Sequence, residues 1–261
     1  MKLKRRQWLW QGSIALGGWL LGWRGLRDRP LRAEPTWSYD GDTGPDHWAA
    51  LDPGFQGCAT GQRQSPIDLG GLGSPAPQSL VLDYTPAAVR VRNTGRSIFV
   101  DYPTGECALT LDDRRYTLLQ FHLHHPSEHQ RAGQAFPAEV HFVHRSEEGQ
   151  LLVLGRWLTR RWLPVAEGPA DRLLRRVLDL APIGLGASLE PGVVLNPAEL
   201  LPDYSRSLSR SLYRYSGSLT TPPCSEGVTW LMLPEPIEIT PAILDRLAVR
   251  LGHNARPLQR T

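Results

Sequence analysis

Between residues 80 and 160 the chain repeats one pattern, short runs in which apolar and polar residues alternate. Leu80-Val-Leu-Asp-Tyr, Val89-Arg-Val-Arg-Asn, Ile98-Phe-Val-Asp-Tyr and Leu109-Thr-Leu-Asp open the series, and Leu118–His124, Glu139–His144 and Leu151–Leu158 continue it. Period-two alternation sends successive side chains to opposite faces, and the Gly, Pro and Asp residues between runs reverse the chain. Such a chain has few alternatives to antiparallel pairing with one face packed. Helical spacing is convincing over Pro169–Leu180, where Leu173, Leu174, Val177 and Leu178 form a stripe that Pro182 ends. A second short helix fits Ile243–Leu251. Ser205-Arg-Ser-Leu-Ser-Arg-Ser-Leu212 duplicates four residues and is expected to enlarge a loop. With 41% hydrophobic residues, 25 Gly and 23 Pro, the chain can bury a sizeable core through many turns. No linker divides residues 34–261, which are expected to form one domain.

The net charge of +3 hides an asymmetry. Of 29 Lys/Arg and 26 Asp/Glu, eight and one fall in residues 1–33, so the rest carries 21 against 25. That acidic body gives no support for nucleic-acid binding. The basic start precedes the apolar run Gly12–Gly22, which is short for a bilayer span and describes an export signal over residues 1–33. Arg5-Arg6-Gln7-Trp8-Leu9 resembles the twin-arginine type. Periplasm, cell exterior or a thylakoid lumen is the expected destination, with no stable membrane span in the mature protein. Cys58, Cys107 and Cys224 are the only cysteines, and their spacing matches neither a zinc ribbon nor a C-x-x-C redox pair.

The stretch Leu119-Gln-Phe-His-Leu-His-His-Pro-Ser-Glu-His129 carries the chemistry. On a strand Gln120, His122 and His124 share a face, and two imidazoles at i and i+2 converge on one ion. In Ala138-Glu-Val-His-Phe-Val-His144 the same rule groups Glu139, His141 and Val143. If the two strands lie side by side, a third imidazole joins the set. A lone strand histidine is more often a hydrogen-bonded core residue, but this grouping favours a metal. Three neutral imidazoles suit Zn2+ and leave a fourth position open, as a catalytic site requires. Gln120 and Glu139 are in phase to accept N–H bonds from the ligands. His125 and His144 face the other way. His122-x-His124-x₃-Glu128 also fits the first metal motif of cupins, but the preceding glycine and the later Pro-x-Gly-x₂-His pattern are missing.

From Trp37 to Pro257 the chain resembles the α-carbonic anhydrases. The match runs in order through Trp37-Ser-Tyr-Asp-Gly, Gly44-Pro-Asp-His-Trp48, Gln64-Ser-Pro-Ile-Asp68, Gln120-Phe-His-Leu-His124, Ser127-Glu-His129 and Ala138-Glu-Val-His141. Gly217-Ser-Leu-Thr-Thr-Pro-Pro223, Glu226-Gly-Val-Thr-Trp230 and Asn254-Ala-Arg-Pro257 complete it. The resemblance implies a mainly β (α+β) fold, a large twisted, mostly antiparallel central sheet of about ten strands with short peripheral helices. It implies His122, His124 and His141 as zinc ligands, with Gln120, Glu139 and the Asn254 carbonyl behind them. Thr220 would donate to Glu128 and orient zinc-bound hydroxide toward carbon dioxide, giving bicarbonate and a proton. Thr221 would border the substrate, and Val143, Val153, Leu219, Val228 and Trp230 would form its apolar wall. Cys58 and Cys224 would form a disulfide, leaving Cys107 a buried thiol.

Two positions depart from the family pattern. Arg96 stands where a proton-shuttling histidine is usual, and an arginine stays protonated across the working range. Phe99 replaces a polar residue of the same cleft. Hydration limited by proton release to buffer is therefore expected, and a cation at the cleft mouth would also draw bicarbonate. A binding protein of this family without catalysis is the alternative, although such members usually lack a zinc histidine. The residues leave the oligomeric state open.

Overall fold

The computed structural model describes residues 36–73, 75–163, 166–184, 186–202 and 208–260. The expected export segment, 1–33, lies outside them, as does the start of the Ser/Arg duplication.

Ten strands form one sheet: β1 Ala76–Asp83, β2 Ala87–Asn93, β3 Ile98–Asp101, β4 Ala108–Leu111, β5 Arg114–His124, β6 Ala138–Arg145, β7 Leu151–Arg160, β8 Ser188–Leu195, β9 Leu208–Ser218 and β10 Glu226–Ile239. Their order is β4-β1-β9-β10-β7-β6-β5-β3-β2-β8. Every pairing is antiparallel except β10 with β7. The fold class inferred from the sequence is the one observed. The long β5 pairs with β4 through Arg114–Thr117 and with β3 through Gln120–His122, so β4 links β5 to β1 and part of the sheet closes on itself.

Among the described residues four α-helices flank the sheet: the one-turn α1 (Trp48–Leu51) and α2 (Gly57–Thr60), then α3 (Pro169–Leu180) and α4 (Pro241–Leu251). α3 has the bounds its leucine spacing implied, and buries Leu173, Leu174, Val177 and Leu178 against the main core. Its first turn is fixed by Asp171, whose carboxylate accepts from the backbone N–H groups of Gly168 and Thr240. α4 begins two residues earlier than expected, with Pro241 at its first position, where the missing N–H costs nothing.

β8 lies outside the alternating runs of the sequence; it contains Pro191-Gly192, tolerated because β8 lies at the sheet edge. The duplication at 205–212 is not simply a loop: Leu208–Leu212 belongs to β9 and pairs with Leu80–Ala76 of β1. Leu212 is buried there.

One irregularity positions the histidines. Along β5, Tyr116 and Leu118 pack into the core, then Phe121 and Leu123 do, so the inward-facing parity changes at Leu119. The register with β6 shifts at the same place, Leu118 facing His144 and Gln120 facing Val143. This bulge turns Gln120, His122 and His124 away from the core.

Candidate metal centre

β5 and β6 run side by side with His122 directly opposite His141, and His124 opposite Glu139. The ligating atoms of the three histidines lie within 4.8 Å of one another, and the side chains are buried. Each ring is held from behind. His122 Nδ1–H donates to Gln120 Oε1 at 2.9 Å, His124 Nδ1–H to the Asn254 carbonyl at 2.7 Å, and His141 Nε2–H to Glu139 Oε1 at 2.5 Å. These bonds fix the tautomers and leave His122 Nε2, His124 Nε2 and His141 Nδ1 as lone-pair nitrogens facing one another.

Burial, then the neighbouring imidazoles His124 and His141, then Arg92 hold the His122 pKa well below its ordinary value. Burial also lowers that of His124, against the opposing pull of Glu128. Both rings are therefore neutral at neutral pH, the state a metal ligand needs. Buried His124 Nε2 has no hydrogen-bond partner among the described residues. Leaving such an atom unpaired inside a protein is costly, and an ion relieves it. Three converging imidazole nitrogens fit a zinc ion, which with three histidine ligands keeps one position for water.

Glu139 is buried, which by itself would raise its pKa, yet His129 and His141 hold the carboxylate far below the ordinary range. It accepts from the His129 backbone N–H at 2.9 Å and from His129 Nδ1 at 2.7 Å, besides His141. His129 Nε2 meets the Tyr215 hydroxyl at 2.6 Å, and that oxygen lies 2.9 Å from Ser65 Oγ. The role of His129 escaped sequence reasoning, since it lies beyond the strand where alternation orders side chains.

The histidines open into a cleft of about 200 Å³. Val143, Val153, Leu219 and Trp230 line it, with Thr220 and Thr221. Val228 packs in the apolar cluster with Val143, Val153 and Trp230 and is not among the lining residues. Trp37 and Tyr39 of the N-terminal arm also line the cleft, as do Thr94 and Ser97. Nothing but the family match of Trp37-Ser-Tyr pointed to the arm. Gly155 on β7 faces His141, and a methyl group there would collide with the Met232 sulfur.

Glu128 is buried beneath the histidines. Its Oε1 accepts from the Arg256 N–H at 2.9 Å, while Oε2 lies 3.5 Å from His124 Nε2 and 3.8 Å from His141 Nδ1. That Oε2 has no hydrogen-bond partner among the described residues, so the bond expected from Thr220 is not made here. His125 and His144 stand apart: His125 bonds the Gly252 carbonyl, and His144 meets the Tyr84 hydroxyl and the Leu152 carbonyl.

Arg96 lines the cleft, donating through Nε to the Trp37 carbonyl at 2.9 Å with its guanidinium 4.1 Å from the Trp37 ring. Phe99 stacks on His122 with ring centroids 4.9 Å apart. Cys58 and Cys224 form a disulfide, and Cys107 is a buried free thiol. No helix among the described residues is long and apolar enough to cross a membrane.

A sequence model of the eukaryotic-type carbonic anhydrase family matches residues 43–152 and 184–260. A carbonic anhydrase of Nostoc is 36% identical over 237 residues, 88% of this chain and 85% of its own. One from Neisseria gonorrhoeae is 37% identical, over 85% of this chain and 84% of its own. The solved α-carbonic anhydrase of Thermovibrio ammonificans, in complex with the inhibitor sulfanilamide, superimposes with a TM-score of 0.75 at 35% identity, covering 87% of this chain and 96% of that one. With its three convergent imidazoles at the floor of a half-apolar cleft, the chain belongs to the α-carbonic anhydrase family.

Proposed function

We propose that the protein interconverts carbon dioxide and bicarbonate, using zinc held by His122 Nε2, His124 Nε2 and His141 Nδ1. The observation that carries this reading is the convergence of three buried imidazoles, each fixed by an acceptor behind it, at the base of a cleft with an apolar side. Zinc held there would supply a water with its pKa lowered to about 7, available as a nucleophile near neutral pH, a figure for which carbonic anhydrase is itself the standard example.

The chain's own residues do the rest. Val143, Val153, Leu219 and Trp230 give a weakly polar gas a dry surface to rest on. Were the Thr220 hydroxyl to turn and donate to the Glu128 carboxylate, only its lone pairs would remain for the nucleophile, which would fix the direction of attack. Thr221 borders the product. Gln120, Glu139 and Asn254 hold the ligands in tautomer and angle. Arg96 keeps its proton throughout, so the proton released at the site passes to buffer through the cleft rather than along a side-chain relay.

The body reads as one catalytic domain, 34–261, exported by residues 1–33 to an oxidising compartment such as the periplasm. The disulfide supports that destination. The decisive experiment pairs zinc analysis with stopped-flow carbon dioxide hydration in the parent and in His141→Ala. The variant is expected to lose the metal and at least about a thousandfold of the rate. Full activity without His141 would sink the zinc mechanism.

A further inference from the structure

Four large apolar side chains stand out from all others among the described residues by their exposure: Trp162 (82%), Leu163 (72%), Ile183 (87%) and Val249 (84%). They come from three separate segments and gather around α4. Arg160, at the end of β7, reaches Asp245 of α4 at 3.2 Å, and the Arg161 N–H donates to the Ile239 carbonyl, two residues before α4 begins. Trp162 and Leu163 follow directly. At the other end, Arg250 donates to the carbonyls of Ala181 and Pro182 at 2.8 and 3.0 Å. That contact brings Ile183 beside the last turn of α4, where Ile183 and Val249 line one depression. Asp245 and Val249, four residues apart, share the outward side of the helix. A single exposed apolar residue needs no explanation, but four around one short helix do.

The charge there runs against the rest of the body. Seven arginines belong to the end of β7, the residue after it, α3 and α4, although residues 34–261 carry fewer basic than acidic groups. Four are matched by carboxylates: Arg160 with Asp245, Arg161 with Asp171, Arg175 with Glu167, and Arg246 with Asp179. Arg172, Arg176 and Arg250 form no ion pair with a described residue, and Arg172 and Arg176 lie on the exposed side of α3.

We infer that this side of the molecule docks peripherally on an anionic lipid bilayer, with Trp162, Leu163, Ile183 and Val249 seated at the headgroup boundary. Exposed tryptophan and aliphatic side chains, with Arg172 and Arg176, unpaired among the described residues, on the adjoining α3, suit that boundary, where apolar bodies enter the acyl region and guanidinium groups pair with lipid phosphates. A second copy of the chain suits it less, because face-to-face pairing would bring the same arginines together. The depression holding Ile183 and Val249 is also lined by Arg96 and Ser97, which line the catalytic cleft. Docking thus sets the cleft mouth close to the surface through which a dissolved apolar gas passes. The surface is independent of the catalytic reading, since none of its apolar residues touches the metal site.

The test is sedimentation of the full chain with sucrose-loaded vesicles of phosphatidylcholine alone or mixed with phosphatidylglycerol. The parent is expected to bind the mixed vesicles, to bind the neutral ones weakly, and to be released by about 0.5 M salt. The double substitutions Trp162→Ser/Leu163→Ser and Arg172→Glu/Arg176→Glu should each lower partitioning by about tenfold, with carbon dioxide hydration in solution and circular dichroism unchanged. Failure of the parent to bind overturns the inference. So does equal binding by parent and both variants, which assigns the affinity to residues 1–33. A dimer in sedimentation velocity that Trp162→Ser/Leu163→Ser dissociates overturns it in favour of self-association.

Discussion

At the scale of single residues, the position that distinguishes this chain is Arg96. Its guanidinium is committed to the Trp37 carbonyl and ring, and its own carbonyl accepts from Asn254 Nδ2 at 2.8 Å. It therefore joins the N-terminal arm to the segment that supports His124, and a guanidinium that stays protonated relays no proton. Phe99, stacked on His122, offers no hydrogen bond to water in the same cleft. On the proposed mechanism the proton would then pass to buffer. At low buffer concentration the hydration rate is expected to rise with added imidazole, and in Arg96→His that dependence should weaken by about tenfold. Stopped-flow rates across a buffer series decide it, and a high, buffer-independent parent rate would refute the argument.

At the scale of elements, β5 and β6 place His122, His124 and His141 on one face and His144 on the other. His144 lies in the core between the Tyr84 hydroxyl and the Leu152 carbonyl, and burial pushes its pKa down to about 3. An unfolded histidine titrates at about 6.5. Because the folded value is the lower one, the neutral ring contributes its full stability above about 6.5. That contribution is lost as pH falls through the window toward about 3. Urea unfolding at a series of pH values should show a His144→Gln variant with a slope shallower by up to about 1.4 kcal/mol per pH unit in that window. Equal slopes would mean that His144 is not held neutral.

At the scale of the whole molecule, the site is assembled from the two ends of the described chain as much as from the sheet centre. Buried Arg256 donates to Gln64 Oε1, to the Ser65 carbonyl and to the Cys58 carbonyl, while its N–H holds Glu128. The Cys58–Cys224 bond spans 166 residues and ties the arm to the segment of Thr220 and Thr221. Closing so long a loop constrains the unfolded chain strongly, so reduction should cost about 2–5 kcal/mol. The matching fall in melting temperature is about 5–15 °C, read by calorimetry with and without reductant. An unchanged transition would show that the sheet alone carries the stability.

What the sequence determined by itself was local: strand alternation over most of the sheet, the leucine stripe of α3, and the pairing of Gln120, His122 and His124 on one face. Those features follow from side-chain period, which neighbouring residues impose. The tertiary structure decided the rest. Strict alternation continued from Tyr116 and Leu118 would have driven His122 and His124 into the core, and only the bulge at Leu119, made against β6, turns them outward. β8 hides a proline that an edge position tolerates, and Leu208–Leu212 becomes strand because β1 is there to pair with it. Tyr39, Asn254 and Arg256 reach the site from the chain's extremities, joined by hydrogen bonds that no local pattern records. Period is a property of neighbours in sequence, whereas register and convergence exist only once the partner strand is in place.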